Sequence, residues 1–238
     1  MTVRGGAQVI PRPPRSRPGR PAPWASLGAG ATVTLDDLRA TFGGRLGVPS
    51  AVEGAEEVLP SAVLACFWED GDGLGALLTR RAGHMRSHRG EVAFPGGRAE
   101  PGETPVAAAL REAQEEVGLD PASVEVLGEL DHLMTVTSRS FIVPFVATVP
   151  ERPDYLVANA DEVDVALYVP VSELLLEEVY REEVWTWPSP PSWVHDGVLE
   201  RPIFFFELVG DTVWGATAAM LRQLLGLALG VPTDIDHH

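Results

Sequence analysis

Between residues 105 and 117 the apolar positions follow a helical period. Val106, Leu110, Ala113 and Val117 fall on one stripe, because residues three and four apart share a helix face. Thr104 supplies an N-cap, Pro105 suits the first turn, where its missing N–H costs nothing, and Gly118 supplies the left-handed residue that ends a helix. The spacing therefore predicts a helix over 105–117. A more uniformly apolar run predicts a second helix over 216–229, and Thr34 ahead of Leu35, Asp36, Asp37 and Leu38 predicts a short capped one. Runs rich in β-branched and aromatic residues, bounded by turn formers, predict strands over 61–67, 75–79, 124–136, 141–149, 163–169 and 203–209. Strands interrupted by one central helix and closed by a terminal one predict an α/β fold with a mixed sheet packed between helices. No internal repeat is visible.

The ends of the chain read differently. Residues 1–26 carry Arg4, Arg12, Arg15, Arg17 and Arg20 among many prolines and no acidic residue, which predicts a disordered, dispensable leader with no apolar face to dock. The domain is then expected over 27–230, with a tail at 231–238. At 238 residues and 45% hydrophobic composition, the chain is sized for one domain with a substantial core.

Charge narrows the function classes. A formal net charge of −16, from 34 acidic against 18 basic residues, repels nucleic-acid backbones and anionic membranes, so no partner of either kind is expected. No run approaches the roughly 18 to 20 apolar residues of a membrane span, and the amino terminus lacks a signal-peptide core. The single cysteine, Cys66, lies in an apolar run and reads as a buried, inert thiol in a reducing compartment. A cytoplasmic protein is expected, and a homodimer is compatible with this composition.

On the predicted central helix, Glu112, Glu115 and Glu116 project away from the apolar stripe at i, i+3 and i+4. No lysine is interspersed to relieve their repulsion. Hard oxygen ligands clustered in this way suit Mg2+ or Mn2+. Taken alone, an acidic helix face is ordinarily just solvated.

The flanking residues change that reading. Gly97, Glu103, Arg111, Glu112, Glu115, Glu116 and Gly118 lie in the pattern Gly, five residues, Glu, seven residues, then Arg-Glu-Ala-Gln-Glu-Glu-Val-Gly-Leu. This closely resembles the signature of the Nudix hydrolase family, with Ala113 replacing the larger aliphatic residue usual there. The resemblance implies an α/β/α sandwich in which Glu112, Glu115 and Glu116 hold metal ions, while Glu103 and Arg111 form a structural ion pair. Phe94-Pro95-Gly96-Gly97 puts flexible backbone just ahead of the helix, where the Gly97 carbonyl can join a metal shell. The general base varies within the family. Glu115, Glu116 and Glu162 are candidates here, and Glu162 reads equally well as an exposed loop charge.

Upstream, residues 77–97 contain Leu77-Leu78-Thr79-Arg80-Arg81-Ala82, Arg86, Gly90 and the Phe94-Pro95-Gly96-Gly97 ending. This resembles the extended motif of the coenzyme A pyrophosphatase subgroup, whose members split coenzyme A into 3′,5′-ADP and 4′-phosphopantetheine. A departure sits at Thr137-Ser138-Arg139-Ser140, where relatives often carry glycine. Independently of family, Arg80, Arg81, His84, Arg86, His88 and Arg89 form a basic island in an acidic chain, which asks for an anionic partner. Arg81, Arg86 and His88 are the expected substrate contacts, although some of these arginines are expected simply to pair with nearby acids. Trp185, Trp187 and Trp193, at a proline-rich insertion, read as a lid or a structural cap, with structure favoured. The alternatives are a pyrophosphatase for another diphosphate, such as NADH or ADP-ribose, and a fold-retaining binding protein without chemistry.

Overall fold

The computed structural model describes residues 3–49, 60–85, 88–135, 140–153, 159–187 and 199–233. Arg86, the departure at 137–139, Trp193 with its insertion and tail residues 234–238 lie outside the described residues. The chain opens with short strands β1 (Gly5–Gly6) and β2 (Arg15–Pro18), followed by α1 (Leu35–Phe42). The long strands β3 (Ser61–Asp70) and β4 (Gly73–Arg81) come next, then β5 (Val92–Ala93), β6 (Gly96–Arg98) and α2 (Pro105–Val117). Strands β7 (Glu125–Glu129), β8 (Leu133–Met134), β9 (Phe141–Thr148) and β10 (Val163–Pro170) lead to the single turn α3 (Val171–Leu174). Last are β11 (Tyr180–Trp187), β12 (Leu199–Glu207), β13 (Val209–Gly210), β14 (Thr212–Trp214) and α4 (Gly215–Ala228).

The main sheet runs β10-β4-β3-β9-β7, with β5, β6 and β8 paired at its margins. It is mixed: β3 and β9 are parallel, whereas β3–β4, β4–β10 and β7–β9 are antiparallel. Alternation along β3 explains the layering. Ala62, Leu64, Cys66 and Trp68 share one core cluster with Ala108, Ala109, Ala113 and Val117 of α2, whose small side chains let the helix lie close to the sheet. Ala65 and Phe67 belong to a second cluster, with Leu38 and Phe42 of α1 and Leu221, Leu224 and Leu225 of α4. Helices therefore cover both faces. Cys66 is fully buried, and burial pushes its thiol up to about 12, which leaves it unreactive at neutral pH.

The predicted run 124–136 is broken. Leu130 leaves the ladder between β7 and β8, and its N–H donates instead to the Pro144 carbonyl at 3.0 Å. A second, four-stranded sheet, β14-β12-β11-β2, was not anticipated. Its strand β11 escapes a reading by alternation because Arg181, Glu182 and Glu183 interrupt the apolar pattern. Trp185 in β11 is buried against Trp187, Phe205 and Trp214 at 5.7 to 6.2 Å.

The expectation of a disordered leader fails for residues 3–26. β2 pairs antiparallel with the edge of β11, from Pro18 opposite Glu183 to Arg15 opposite Thr186. Trp24 is 2% exposed, stacks on Phe206, meets Tyr180 edge-on at 5.4 Å and donates its Nε1–H to the Leu175 carbonyl at 3.2 Å. Arginines that find no acid within the segment find them on its neighbours: Arg4 on Glu173, Arg12 on Glu183 and Arg17 on Glu200. The physical reason is that an open sheet edge binds backbone, and backbone pairing requires no apolar periodicity in the added strand.

Candidate active site

Helix α2 is stopped at both ends by local chemistry. The Thr104 side chain accepts the Ala107 N–H at 3.4 Å, and Gly118 adopts φ 74°. Its buried side differs from the predicted stripe: Ala108, Ala109, Ala113, Glu116 and Val117 are buried, whereas Val106 and Leu110 are only partly covered. The three glutamates do not share one solvated face. At roughly 100° per residue, Glu115 and Glu116 diverge by that full angle, which turns Glu116 toward the sheet and Glu115 into water. Glu116 is 2% exposed, while the Glu115 side chain is 57% exposed and accepts from Arg111 Nη1 at 3.0 Å.

Tertiary structure supplies a different third carboxylate. Oxygens of Glu112, Glu116 and Glu162 lie within 4.8 Å of one another. Glu162 is brought in by backbone. The Glu116 carbonyl, left without a helical partner at the end of α2, accepts the Asn159 N–H at 2.8 Å, and Ala82 N–H donates to the Glu162 carbonyl at 2.8 Å. Between them, an Asn159 side-chain turn accepts the Asp161 N–H at 3.2 Å and fixes the 159–162 bend. Asn159 was the available sequence signal, since Asn before a short acidic stretch favours such a turn.

The floor of the cluster is glycine backbone from β6. Gly96 N–H donates to Glu116 Oε2 at 3.1 Å. A Cβ at Gly96, whose φ is 155°, would sit 2.3 Å from the Ala62 carbonyl oxygen; one at Gly97 would sit 2.4 Å from the Glu112 carboxyl carbon. Gly96 therefore excludes a side chain against backbone, whereas one at Gly97 would push the Glu112 carboxylate aside. Burial pushes the Glu116 carboxyl up to about 7, against the opposing pull of Gly96 N–H and Arg81. Burial also raises Glu112, with Arg111 offsetting part of the effect. Neighbouring carboxylates add to the rise in both, so the arrangement is electrostatically short of positive charge.

Arg111 braces the helix to the loop before it. It grips Glu103 with two bonds, Nε–Oε1 at 3.0 Å and Nη2–Oε2 at 3.1 Å, and also reaches the Arg98 carbonyl at 3.2 Å and Glu112 Oε1 at 2.9 Å. Hydrogen bonding from Arg111, and then from Glu100 N–H, holds the Glu103 carboxyl below the usual range.

The basic island divides. Arg80 is taken by Asp164 and Asp211. Arg81 turns to the carboxylate cluster, with Nη1 3.7 Å from Glu116, and its buried Nε has no hydrogen-bond partner among the described residues. Nδ1 of His88 lies 2.8 Å from Glu91 on a backbone at φ 56°, and Arg89 Nε donates to the Met85 carbonyl at 2.7 Å.

The family model for the NUDIX domain matches residues 58–187, more than half of the 238, and spans all of these glycines, glutamates and arginines. The chain belongs to the Nudix family. Its mixed sheet with helices on both faces is the Nudix α/β/α sandwich. Among relatives, Nudix hydrolase 3 of Caenorhabditis elegans is 37% identical over 158 residues, 63% of this chain and 65% of its own length. This chain thus spans slightly under two thirds of that relative. An uncharacterised Nudix hydrolase, NudL, of Yersinia enterocolitica is 36% identical over 149 residues, 62% of this chain and 71% of its own. Among solved structures, a C. elegans Ap4A hydrolase binary complex matches with a TM-score of 0.41 at 18% identity, covering 47% of this Nudix chain and 80% of that one. Among the described residues no helix is long and apolar enough to cross a membrane.

Proposed function

We propose that this Nudix protein hydrolyses the pyrophosphate bond of a nucleoside diphosphate derivative with Mg2+ or Mn2+, and that its substrate is coenzyme A. The observation that carries the reading is the convergence of Glu112, Glu116 and Glu162 from a helix and a distant loop onto a floor of glycine backbone. The donor set fits a divalent cation. It is hard oxygen throughout, and the nearly fully buried Glu116 carboxylate is poorly placed without positive charge beside it. Glu112, Glu116 and Glu162 would hold the ion, with the Gly97 carbonyl as a further oxygen; Glu115, engaged by Arg111 on the solvent side, stands apart from the cluster. Bound there, a divalent ion supplies charge neutralisation on phosphate oxygens and acidifies coordinated water.

The chain's own groups do the rest. Glu162, only partly covered, has two carboxylate oxygens, and the one not engaged by an ion would accept the proton of the attacking water. As the new P–O bond forms, the bond to the bridging oxygen breaks and that oxygen leaves on the second phosphate. Arg81 faces the same cluster, and a phosphate oxygen would satisfy its buried Nε. Arg111, bidentate on Glu103, keeps Glu112 in place throughout.

The motif over 77–97, with Arg81 and Arg86, supports coenzyme A as the substrate, cleaved to 3′,5′-ADP and 4′-phosphopantetheine. The test is product analysis by mass spectrometry across coenzyme A, dephospho-coenzyme A, NADH and ADP-ribose, with and without Mg2+ or Mn2+. A charge-assisted contact to the 3′-phosphate is worth about 1.5 to 3 kcal/mol, so coenzyme A should exceed its dephospho form by roughly ten- to a hundredfold in efficiency. Arg86→Ala should shrink that gap. Equal treatment of the two substrates would remove the coenzyme A assignment. Preference for another dinucleotide would leave only the broader reading, and cleavage of none would end the catalytic one.

A further inference from the structure

Glu162 reaches the cluster at an irregularity in β10. Val163 pairs with Arg81 and Val165 with Arg80, so Asp164 is an extra residue without a partner across the ladder. Such a bulge bends its strand and re-aims the residues beside it, at the expense of ladder hydrogen bonds that would otherwise hold them. Here the lost rigidity is replaced by a side chain. Arg80 places Nε 3.0 Å and Nη2 2.9 Å from Asp164 Oδ2, while its Nη1 lies 3.1 to 3.2 Å from both oxygens of Asp211. Asp164 is largely exposed and needs no partner for solvation, whereas Asp211 is 5% exposed and gives the guanidinium a fixed anchor. That anchor is held in turn by the amino-terminal segment: Gln8 Nε2 donates to Asp211 Oδ1 at 2.8 Å, and Gln8 Oε1 accepts the Thr212 N–H at 3.0 Å. With a carboxylate on each side, Arg80 is spent on protein and is not a phosphate contact.

We propose that Arg80 is a positioning residue for the reaction: by clamping Asp164 to buried Asp211, it fixes the bulge that presents Glu162 to Glu112 and Glu116. The inference rests on the metal-dependent reading above. It gives a role to Arg80, which the alternation of β4 turns away from the cluster that Arg81 faces.

The experiment compares the full-length wild-type chain with Arg80→Met, Arg80→Lys and Asp164→Ala. It measures Mn2+ binding by calorimetry without substrate, hydrogen exchange at the Glu162 and Val163 amides, kcat and KM, and melting temperature. Substituting partners outside the ligand shell ordinarily weakens metal affinity or activity by about ten- to a hundredfold, and that loss is expected in both Mn2+ affinity and kcat for Arg80→Met, with KM nearly unchanged. Exchange at Glu162 and Val163 should quicken, since both amides bond the Asn159 carbonyl inside the bend. Arg80→Lys should recover part of the loss, because an ammonium satisfies one carboxylate but does not fork between two. Wild-type Mn2+ affinity and kcat in Arg80→Met would overturn the role, as would a rise in KM alone, which would make Arg80 a substrate contact. If Arg80→Met does not fold, Asp164→Ala decides: it removes the acceptor while leaving the Arg80–Asp211 pair intact, and unchanged Mn2+ affinity and kcat would overturn the role equally. A wild-type chain that neither binds Mn2+ nor cleaves any diphosphate would instead bring down the metal-dependent reading beneath it.

Discussion

Helix α2 and the amino-terminal segment at 3–26 are both charged stretches docked on a sheet, and they are held by opposite means. α2 sends Ala108, Ala109, Ala113 and Val117 into a closed apolar cluster and gathers like charges, Glu112 and Glu116 beside Glu162, on its other flank. The amino-terminal segment buries almost no apolar side chain and leaves Val3 and Val9 exposed. It lends backbone to the edge of β11, matches arginines to acids on its neighbours and seats one large side chain, Trp24. Exposed ion pairs are worth about 0 to 1 kcal/mol each, whereas burying a large apolar side chain contributes about 1.5 to 3 kcal/mol, so Trp24 and the backbone pairing dominate the docking. The contrast teaches how to read charge: complementary charges across a contact accompany docking, while like charges held together against their own repulsion ask for a reason beyond solvation.

The sharpest break of the comparison is Trp24→Ala. A buried tryptophan truncated to alanine costs about 3 to 5 kcal/mol, and equilibrium urea unfolding should show that loss. Unchanged stability would mean that the amino-terminal segment is not seated as described. Next is Glu116→Gln, expected to lower turnover at least about a hundredfold, about 2.7 kcal/mol in the barrier, while stability holds or rises because a buried, crowded charge is removed. Its exposed neighbour sharpens the point: Glu115→Gln should lose about tenfold or less, because it removes a surface contact to Arg111 rather than a member of the cluster. Equal losses in steady-state turnover for the two variants would put Glu115 inside the working set.

An effect on stability smaller than that of Trp24→Ala is expected at Asp131. Burial pushes its carboxyl up, yet the Val48 N–H, Arg45 and the Gln223 amide together outweigh burial and hold it below the ordinary 3.8. A depressed acid stabilises the fold above its unfolded value and loses that contribution as pH falls through the folded one. Asp131→Asn should therefore cost about 1.5 to 3 kcal/mol at neutral pH and flatten the loss of stability between roughly pH 5 and pH 2. Parallel acid melts of variant and wild type would contradict this. Smallest of all is Arg17→Ala. The Arg17–Glu200 pair is 3.6 Å long and more than half exposed on both sides, so its loss should shift stability by less than about 0.5 kcal/mol. A larger shift in thermal melting would mean that the arginines, rather than Trp24 and the backbone, hold the segment.

By itself the sequence determined what is local. Thr104, Pro105 and Gly118 set the ends of α2 at the residues observed, Thr34 caps α1, and runs rich in β-branched and aromatic residues located β3, β4, β9 and β10, because capping and strand preference act within a few residues. The spacing from Gly97 to Gly118 likewise carried the family. Tertiary structure decided the rest. Whether Glu115 or Glu116 enters the cluster depends on how α2 rolls on the sheet, a rotation set by packing that the helical period leaves open. Glu162 comes from more than forty positions downstream, delivered by backbone hydrogen bonds and a bulge at Asp164 that leave no periodic trace. The amino-terminal segment, proline-rich and polar, looked free because its partners are the open edge of β11 and acids on α3, β11 and β12, which come together only once the chain has folded.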